Sequence, residues 1–456
     1  MEEILGLARE NMFRVSTLLL IGVCVLFAVL YGYGGFVRLE KVNTDMYHED
    51  QSANMWYAKE LYDRNLLYAG DGCRSPLYPF IQSLFHGRQM DWESFLVQGK
   101  SVHLVLSFII LAGIFFIFRL YLTLDQAVAL LGITAFTVFL FRASYVNPAQ
   151  LYYLLSFATF VLMCKMFIRP NLIVGALCGI CAGLAYLTKF SMAPAVGIFT
   201  AVFSVQELYL YLAPSRWAVD VSTFRERMRR LASLGLVLLL FILVITPQIV
   251  ANKRTFGRCF YNVNTYFYMW YDSWEDAKLG TRAHGDREGW PKMAPEDIPS
   301  AGKYWREHTA GQISWRWIVG ILKNLICAVT SYGWFKYVLL LGALAGAGIA
   351  VNLSASFKKA REHFFLVLFV ICYFTVYMAG FTWFAAINAD ARYMLELFLP
   401  YVFSCAIVIN ETFDESYSFS AWGKTIRYSE IWGFAFLAIL CLELYPIMSG
   451  RILLFP

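Results

Sequence analysis

Uninterrupted apolar runs of about twenty residues recur along almost the whole chain, and no other feature limits its fold so strongly. At a rise of 1.5 Å per residue, a run of that length spans a hydrocarbon layer of roughly 30 Å as one helix. The first run is Val15–Val37, and others lie near 103–122, 126–142, 149–168, 171–188, 191–212, 232–250, 334–353, 364–384, 394–410 and 430–448. The pattern predicts an all-α polytopic membrane protein with about eleven transmembrane helices. Composition agrees: 15% of the 456 residues are charged and 59% are hydrophobic. A soluble chain carries about a quarter charged residues, so this one lacks the polar surface that water would require.

The start of the chain is charged, and its first apolar run is long and has no small-residue cleavage site. It is therefore expected to stay as a span rather than be removed as a signal peptide. The net charge of +6 resides in short basic loops between runs, such as Arg216, Arg225, Arg227, Arg229 and Arg230, and Lys358, Lys359 and Arg361. That is the distribution of cytoplasmic loops, not of a nucleic-acid surface. With the N-terminus inside, the two long polar loops, 38–100 and 252–315, share the extracytoplasmic face. The segment 316–333 is apolar but carries Arg316 and Lys323 and has aromatic ends. It reads as a helix lying flat at the interface, because a crossing there would export the Lys358–Arg361 cluster. Three units follow: 1–251 with the first outer loop, 252–333 with the second, and the C-terminal spans 334–456. Cys73 and Cys259 are the cysteines that fall in the outer loops, and a disulfide between them is open. No internal repeat is visible, which counts against a transporter built from repeated halves.

Chemistry concentrates at the outer ends of the spans. Asp45, Glu49 and Asp50 follow the first span directly, and carboxylates so near the bilayer need a partner or a use. Gln51 to Leu61 has helical spacing of Met55, Ala58 and Leu61, which would put Asp50 at a helix start, where the dipole favours its ionised form. Arg74-Ser-Pro76-Leu-Tyr78-Pro79 reads as a stiff reversal. Lys189 and Arg392 end later spans at the depth of a lipid phosphate. Arg suits bidentate contact with phosphate and Lys a point charge. The plainer alternatives are snorkelling for Lys189 and pairing with Asp390 for Arg392. In the second loop Asp272, Glu275, Asp276, His284, Asp286 and Arg287 stand among Trp270, Trp274 and Trp290, either as a sugar-binding patch or as a small loop with its own aromatic core. A lone His284 is a weak metal signal, and a divalent ion near Asp45, Glu49 and Asp50 stays open.

Asp50-Gln51 leading a helix through Ala58 and Leu61, the Pro76-x-Tyr78-Pro79 turn, Gly183-Leu-Ala-Tyr-Leu-Thr-Lys189 and Asp390-Ala-Arg392-Tyr393 together resemble the GT-C superfamily of polytopic glycosyltransferases. The resemblance is strongest to the branch of the protein O-mannosyltransferases and bacterial aminoarabinose transferases. The segment Asn262-Val-Asn264 through Trp290-Pro291 resembles a second loop found in an uncharacterised branch of that superfamily. The chain has no large inserted lumenal domain and no Asp-Glu motif like those of the protein O-mannosyltransferases. The resemblance implies transfer of a sugar from a polyprenyl-phosphate donor to a lipid, glycan or protein acceptor at the outer face. Asp50 would act as base, with Asp45 as its alternative and Glu49 in support. Lys189 and Arg392, with Arg74 and Lys323 behind them, would hold the donor phosphate, and Tyr57, Tyr78, Asp272, Trp274 and His284 would line the substrate site. The absence of organelle signals in the sequence favours a bacterial inner membrane. The alternatives are a secondary transporter or flippase, and a ligase or polymerase acting on lipid-linked glycans.

Overall fold

The computed structural model describes residues 2–47, 50–64, 68, 70–87, 90–212, 224–331, 333–413, 418–421, 424–427 and 431–454. Glu49 and Arg216 lie outside them. The first half comprises α1 (Glu2–Lys41), α2 (Gln51–Asp63), α3 (Leu77–Ser83), α4 (Trp92–Arg119), α5 (Leu124–Thr134), α6 (Leu140–Arg142), α7 (Ala149–Ile168), α8 (Leu172–Thr188), α9 (Ala193–Leu212) and α10 (Phe224–Phe256). The short helices α11 (Val263–Tyr266), α12 (Trp274–Ala277) and α13 (Ala301–Glu307) then precede α14 (Ala310–Thr330), α15 (Trp334–Val351), α16 (Leu353–Glu362) and α17 (Phe364–Phe384). The chain closes with α18 (Ala391–Leu395), α19 (Phe398–Thr412), the hairpin β1 (Ser418–Ala421) and β2 (Lys424–Arg427), α20 (Trp432–Met448) and α21 (Gly450–Leu453). The hairpin departs from the all-α expectation; four-residue strands carry too little pattern to be seen in sequence.

Among the described residues nine helices are long and apolar enough, by length and composition, to cross a membrane. Leu172–Thr188, Phe398–Thr412 and Trp432–Met448 are shorter apolar helices. Large apolar side chains cover the outside of the bundle, including Leu18, Ile109, Leu243 and Leu442. A surface of that kind is consistent with a polytopic membrane protein, because it suits lipid and not water.

Small residues bring the helices together. On α8, Gly175, Gly179 and Gly183 recur every four residues and form one stripe against α10. A Cβ at these positions would fall 2.7 Å from the Ser233 carbonyl oxygen, 2.5 Å from that of Val237 and 2.7 Å from the Val244 side chain. Backbones that approach so closely gain dispersion contacts, the main attraction between helices in lipid. The same contacts show that α8 and α10 run parallel.

Paired contacts define the two ends of the bundle. At one end Gln126 and Asn410 exchange amide hydrogen bonds, Arg230 pairs with Glu207 at 2.7 Å and Lys359 with Glu411 at 2.8 Å. At the other end the C-terminus of α1 meets the α6–α7 turn through Arg38, which donates to the Phe141 carbonyl at 3.1 Å. Helix α14 begins six residues earlier than its sequence suggested. Thr309 and Gln312 form a capping box there, a T-x-x-Q signature that the sequence reading passed over. Both ends of α14 stay at this second end of the bundle. Arg316 donates to the Trp383 carbonyl, Lys323 Nζ reaches the Ala385 carbonyl at 3.4 Å, and Trp334 just beyond the helix packs edge-on to Phe398. The buried side of α14 is Ile313, Arg316, Gly320, Asn324 and Ala328, while Ile318, Leu322, Leu325 and Val329 face outward.

Candidate functional site

The loop after α1 is pinned by polar groups that would be costly to bury alone. Lys100, 2% exposed, donates to the carbonyls of Leu39 at 2.5 Å, Val42 at 3.0 Å and Asn43 at 3.3 Å. It thereby satisfies the orphan carbonyls that end α1. Asn43 takes a left-handed backbone, with φ 59°, and its amide pairs reciprocally with that of Gln51 at 2.7 and 3.1 Å. Gln51 Oε1 also accepts from Val146 N at 3.0 Å, and Asn54 donates to the carbonyls of Asp50 and Val146. These bonds clamp the start of α2 against the α6–α7 turn and fix where Asp50 points.

Asp50 stands at the N-cap position of α2 but makes no side-chain cap bond. Its oxygens face two guanidiniums instead: Arg74 Nη2 lies 2.7 Å from Oδ1 and Arg392 Nη1 2.9 Å from Oδ2. Partial burial works to raise the carboxyl pKa, but Arg392 and then Arg74 outweigh it and hold the group at about 2. The pairing extends both ways. Arg74 also binds Asp71, which Arg287 approaches at 3.4 Å, while Arg392 Nε lies 3.0 Å from Asp390, which Arg142 approaches at 3.5 Å. Four guanidiniums thus alternate with three carboxylates. Lys189 forms an ion pair with Glu396, whose other oxygen accepts from Ser191 Oγ at 3.0 Å, and its ammonium stands 4.9 Å over the Tyr393 ring.

A cleft of about 140 Å³ opens over these groups. Asp50, Arg74, Asn147, Lys189, Asn264 and Arg392 are among its walls, so six helix ends or loops meet there. The two long loops are joined at its rim, where Val263 N donates to the Gly72 carbonyl at 3.0 Å. Gly72 has φ 69°, and a Cβ there would fall 2.8 Å from the Tyr261 ring, so both backbone and space call for glycine.

Four residues singled out from sequence therefore converge: Asp50, Arg74, Lys189 and Arg392. The others do not. Asp45 is exposed and accepts from Tyr47 N at 2.9 Å in a local turn, away from the cleft. Lys323 is exposed on α14 and is not a cleft wall. Tyr78 is fully buried and bonds His103 Nδ1 at 2.9 Å and Gln82 at 3.0 Å, so it is a packing residue and not a substrate contact. Tyr57 is buried beside a separate hollow. Asp272 serves to anchor α14: it accepts from Arg316 at 3.0 Å and Tyr304 at 2.7 Å and pairs with His308 at 2.8 Å. Trp274 packs edge-on to Tyr268 under Arg282, and exposed His284 bonds the Gly280 carbonyl at 2.7 Å. The second loop is thus largely a small aromatic core of its own, as the plainer reading of its sequence allowed.

A divalent ion does not fit the described residues. No group of three or more His, Cys, Asp or Glu among them is placed to hold one, and both oxygens of Asp50 face cations. Cys73 and Cys259 are both free thiols, so the open disulfide is not formed. Sequence reading missed Asp71, Asn147, Asn264 and Glu396. Asp71, three residues before Arg74, was an available signal, since opposite charges that close in sequence can pair; Glu396 pairs with Lys189 across more than two hundred residues and left none.

No protein-family model matches the chain, and no curated protein matches it in sequence.

Proposed function

We propose that the chain is a glycosyltransferase that moves a sugar from a polyprenyl-phosphate donor to an acceptor hydroxyl at the extracytoplasmic face of a membrane. The observation that carries this reading is the Asp50 carboxylate between two guanidiniums, in a cleft at the end of an apolar bundle. A base and an anion-binding cluster at that depth suit a reaction whose leaving group is a lipid phosphate. A transporter would call for ionisable groups nearer the bilayer midplane.

Eleven crossings follow if α14 lies flat on the outer surface, with its apolar side in the acyl region and Arg316 and Asn324 towards the protein. Both long loops then face outward, and the membrane is a bacterial inner membrane. The donor tail rests among the spans with its phosphate at Arg392 and Lys189. Asp50 takes the proton of the acceptor hydroxyl as its oxygen bonds to the anomeric carbon. The bond from that carbon to the phosphate oxygen breaks, and polyprenyl phosphate leaves with the electron pair. Guanidiniums aimed at the departing oxygen stabilise the charge that grows there. General-base help contributes about 10²- to 10⁴-fold in such reactions.

The test is turnover of a labelled polyprenyl-phosphate sugar by the purified protein. Asp50→Asn keeps the shape of the side chain and removes its charge, and it should lower turnover by about 10²-fold or more. Full turnover in that variant, or counterflow transport of a sugar that survives it, would overturn the assignment.

A further inference from the structure

Besides its charged groups, the Asp50 cleft has two buried amides among its walls, Asn54 and Asn147, and their bonds fix which end of each is free. Asn54 is 1% exposed, and its NH2 group donates to the carbonyls of Asp50 at 3.0 Å and Val146 at 3.2 Å. Both N–H groups are thus spent on backbone, while its Oδ1 accepts from no described residue. Asn147 is the reverse case. Pro148 brings no N–H, so the first open donor of α7 is Ala149 N, and Asn147 Oδ1 accepts from it at 2.8 Å. The NH2 group of Asn147 donates to no described residue, although the residue is only 6% exposed.

Neither amide can be turned end for end. A flipped Asn54 would set its oxygen against two carbonyls, and a flipped Asn147 would set its NH2 against an N–H. Buried polar groups in folded proteins normally find partners, so one free acceptor and one free donor call for a ligand. The two are neighbours, because Asn54 bonds the carbonyl of Val146 and Asn147 follows Val146 in the chain.

Such a pair discriminates between ligand groups. An ammonium only donates, so it suits Asn54 Oδ1 but sets its N–H against the Asn147 NH2. It would also find a single carboxylate among the described walls, Asp50, already faced by two guanidiniums. A carboxylate only accepts, so it suits Asn147 but sets its lone pairs against Asn54 Oδ1. A hydroxyl donates one bond and accepts another, and it satisfies both amides. Asn54 stands one helical turn after Asp50, within reach of a sugar ring whose anomeric carbon lies at that carboxylate.

We propose that this amide pair reads a hydroxyl of the donor sugar, and that the sugar transferred is neutral, neither an amino sugar nor a uronic acid. The proposal rests on the transferase reading, with Asn54 and Asn147 as specificity-determining residues. The test measures binding and acceptor-free hydrolysis of polyprenyl-phosphate hexoses (gluco, manno and galacto) by the full chain in nanodiscs. The monodeoxy and monoamino analogues of the hexose that binds best are measured beside it. One monodeoxy analogue should bind about tenfold more weakly than its parent, the scale of leaving buried polar groups unpaired. In Asn147→Ala that gap should close to about threefold, since one of the two bonds is already gone. The amino analogue at the same position should bind wild type at pH 7 no better than the deoxy one. Asn147→Asp keeps the acceptor for Ala149 N and replaces NH2 by a carboxylate oxygen. It should favour the amino analogue over the parent, and it covers the case in which the alanine variant does not fold. Deoxy gaps that are equal in wild type and Asn147→Ala, or an amino analogue that wild type binds as well as the parent, overturn the proposal while donor turnover stands. Binding that depends on Asn147 without any hydrolysis or transfer retains the sugar site and removes the transferase reading. Binding of none of the donors removes both.

Discussion

Replacing Arg392 by Gln removes one of the two cations that hold Asp50 ionised, and the structure sets the size of the effect. A carboxyl brought from 3.8 to about 2 corresponds to about 2.5 kcal/mol of preference for its charged form. The Asp50 side chain is 39% exposed, so solvent screening cuts the usable part to about half. Divided between Arg74 and Arg392, this leaves a coupling of about 0.5–1 kcal/mol between Asp50 and Arg392. The double-mutant cycle of Asp50→Asn and Arg392→Gln isolates it, since contacts of Arg392 with Asp390 cancel between the two arms. The sign follows from linkage: a carboxyl with a depressed folded pKa contributes stability above its unfolded pKa and loses it as pH falls through the folded value. The coupling should therefore be complete at pH 6, fall to about half near pH 3 and vanish below pH 2. Thermal midpoints of the four proteins in one detergent, scanned from pH 7 to pH 2.5, measure it. A coupling near zero at pH 6, or one that does not change with pH, would refute the ion pair as described.

Two other predictions test parts of the frame that positions the cleft. Gly179→Val on α8 places a branched side chain where even a Cβ would stand 2.5 Å from the Val237 carbonyl, so it should cost about 1–3 kcal/mol, read as a lower thermal midpoint, whereas Gly197→Ala, with open space around it, should be close to neutral. His308 donates to Asp272 and to the Tyr304 carbonyl from its two ring nitrogens, which only the protonated ring can do. Burial opposes the cation, but Asp272 and that carbonyl raise its pKa. This anchor should hold fully below the unfolded pKa of about 6.5 and loosen as pH rises through the higher folded value. Fluorescence of Trp305 and Trp383 should report a transition that His308→Gln abolishes.

Much of the architecture was legible because a lipid environment imposes a length on each apolar run. Residues 149–168, 191–212 and 364–384 match helices almost to the residue. The start of α4 was placed eleven residues late because Trp92–Gly99 is amphipathic, not uniformly apolar; its true start is set by Asp91, whose side chain accepts from Ser94 N at 2.7 Å. The Gly175-Gly179-Gly183 stripe was visible as a repeat but had no meaning until α10 supplied the facing backbone. At the site, Asp50, Lys189 and Arg392 could be picked out because charge at the end of an apolar run needs an explanation. Arg74 and Asp390 came into view with them, but Glu396 did not. Glu396 lies inside an expected span, and only the fold shows that Lys189 reaches it across more than two hundred residues. Asp272 and Trp274 misled for a related reason: residues suited to hold a sugar are also suited to hold a loop together.

The resting electrostatics of the cleft place a condition on the proposed reaction. A carboxylate held at a pKa of about 2 stays ionised at any physiological pH, yet it is a poor proton acceptor because its charge is already spent on two guanidiniums. The same guanidiniums are the groups that a donor phosphate requires. A dianion or monoanion entering beside Arg392 competes with Asp50 for the same N–H donors, and every bond it takes returns basicity to the carboxylate. Binding of the donor and activation of the base are then one event. Before the donor arrives, Asp50 is too weak a base to draw a proton from water. On the proposed reading the arrangement guards against idle chemistry in an open cleft and ties the basicity of Asp50 to occupancy of the phosphate site. In wild type, the apparent pKa of Asp50 should rise when the donor, or inorganic phosphate at high concentration, is present. Carboxylate infrared difference spectra against Asp50→Asn would report the rise, and a pKa unmoved by saturating donor would separate the base from the phosphate site.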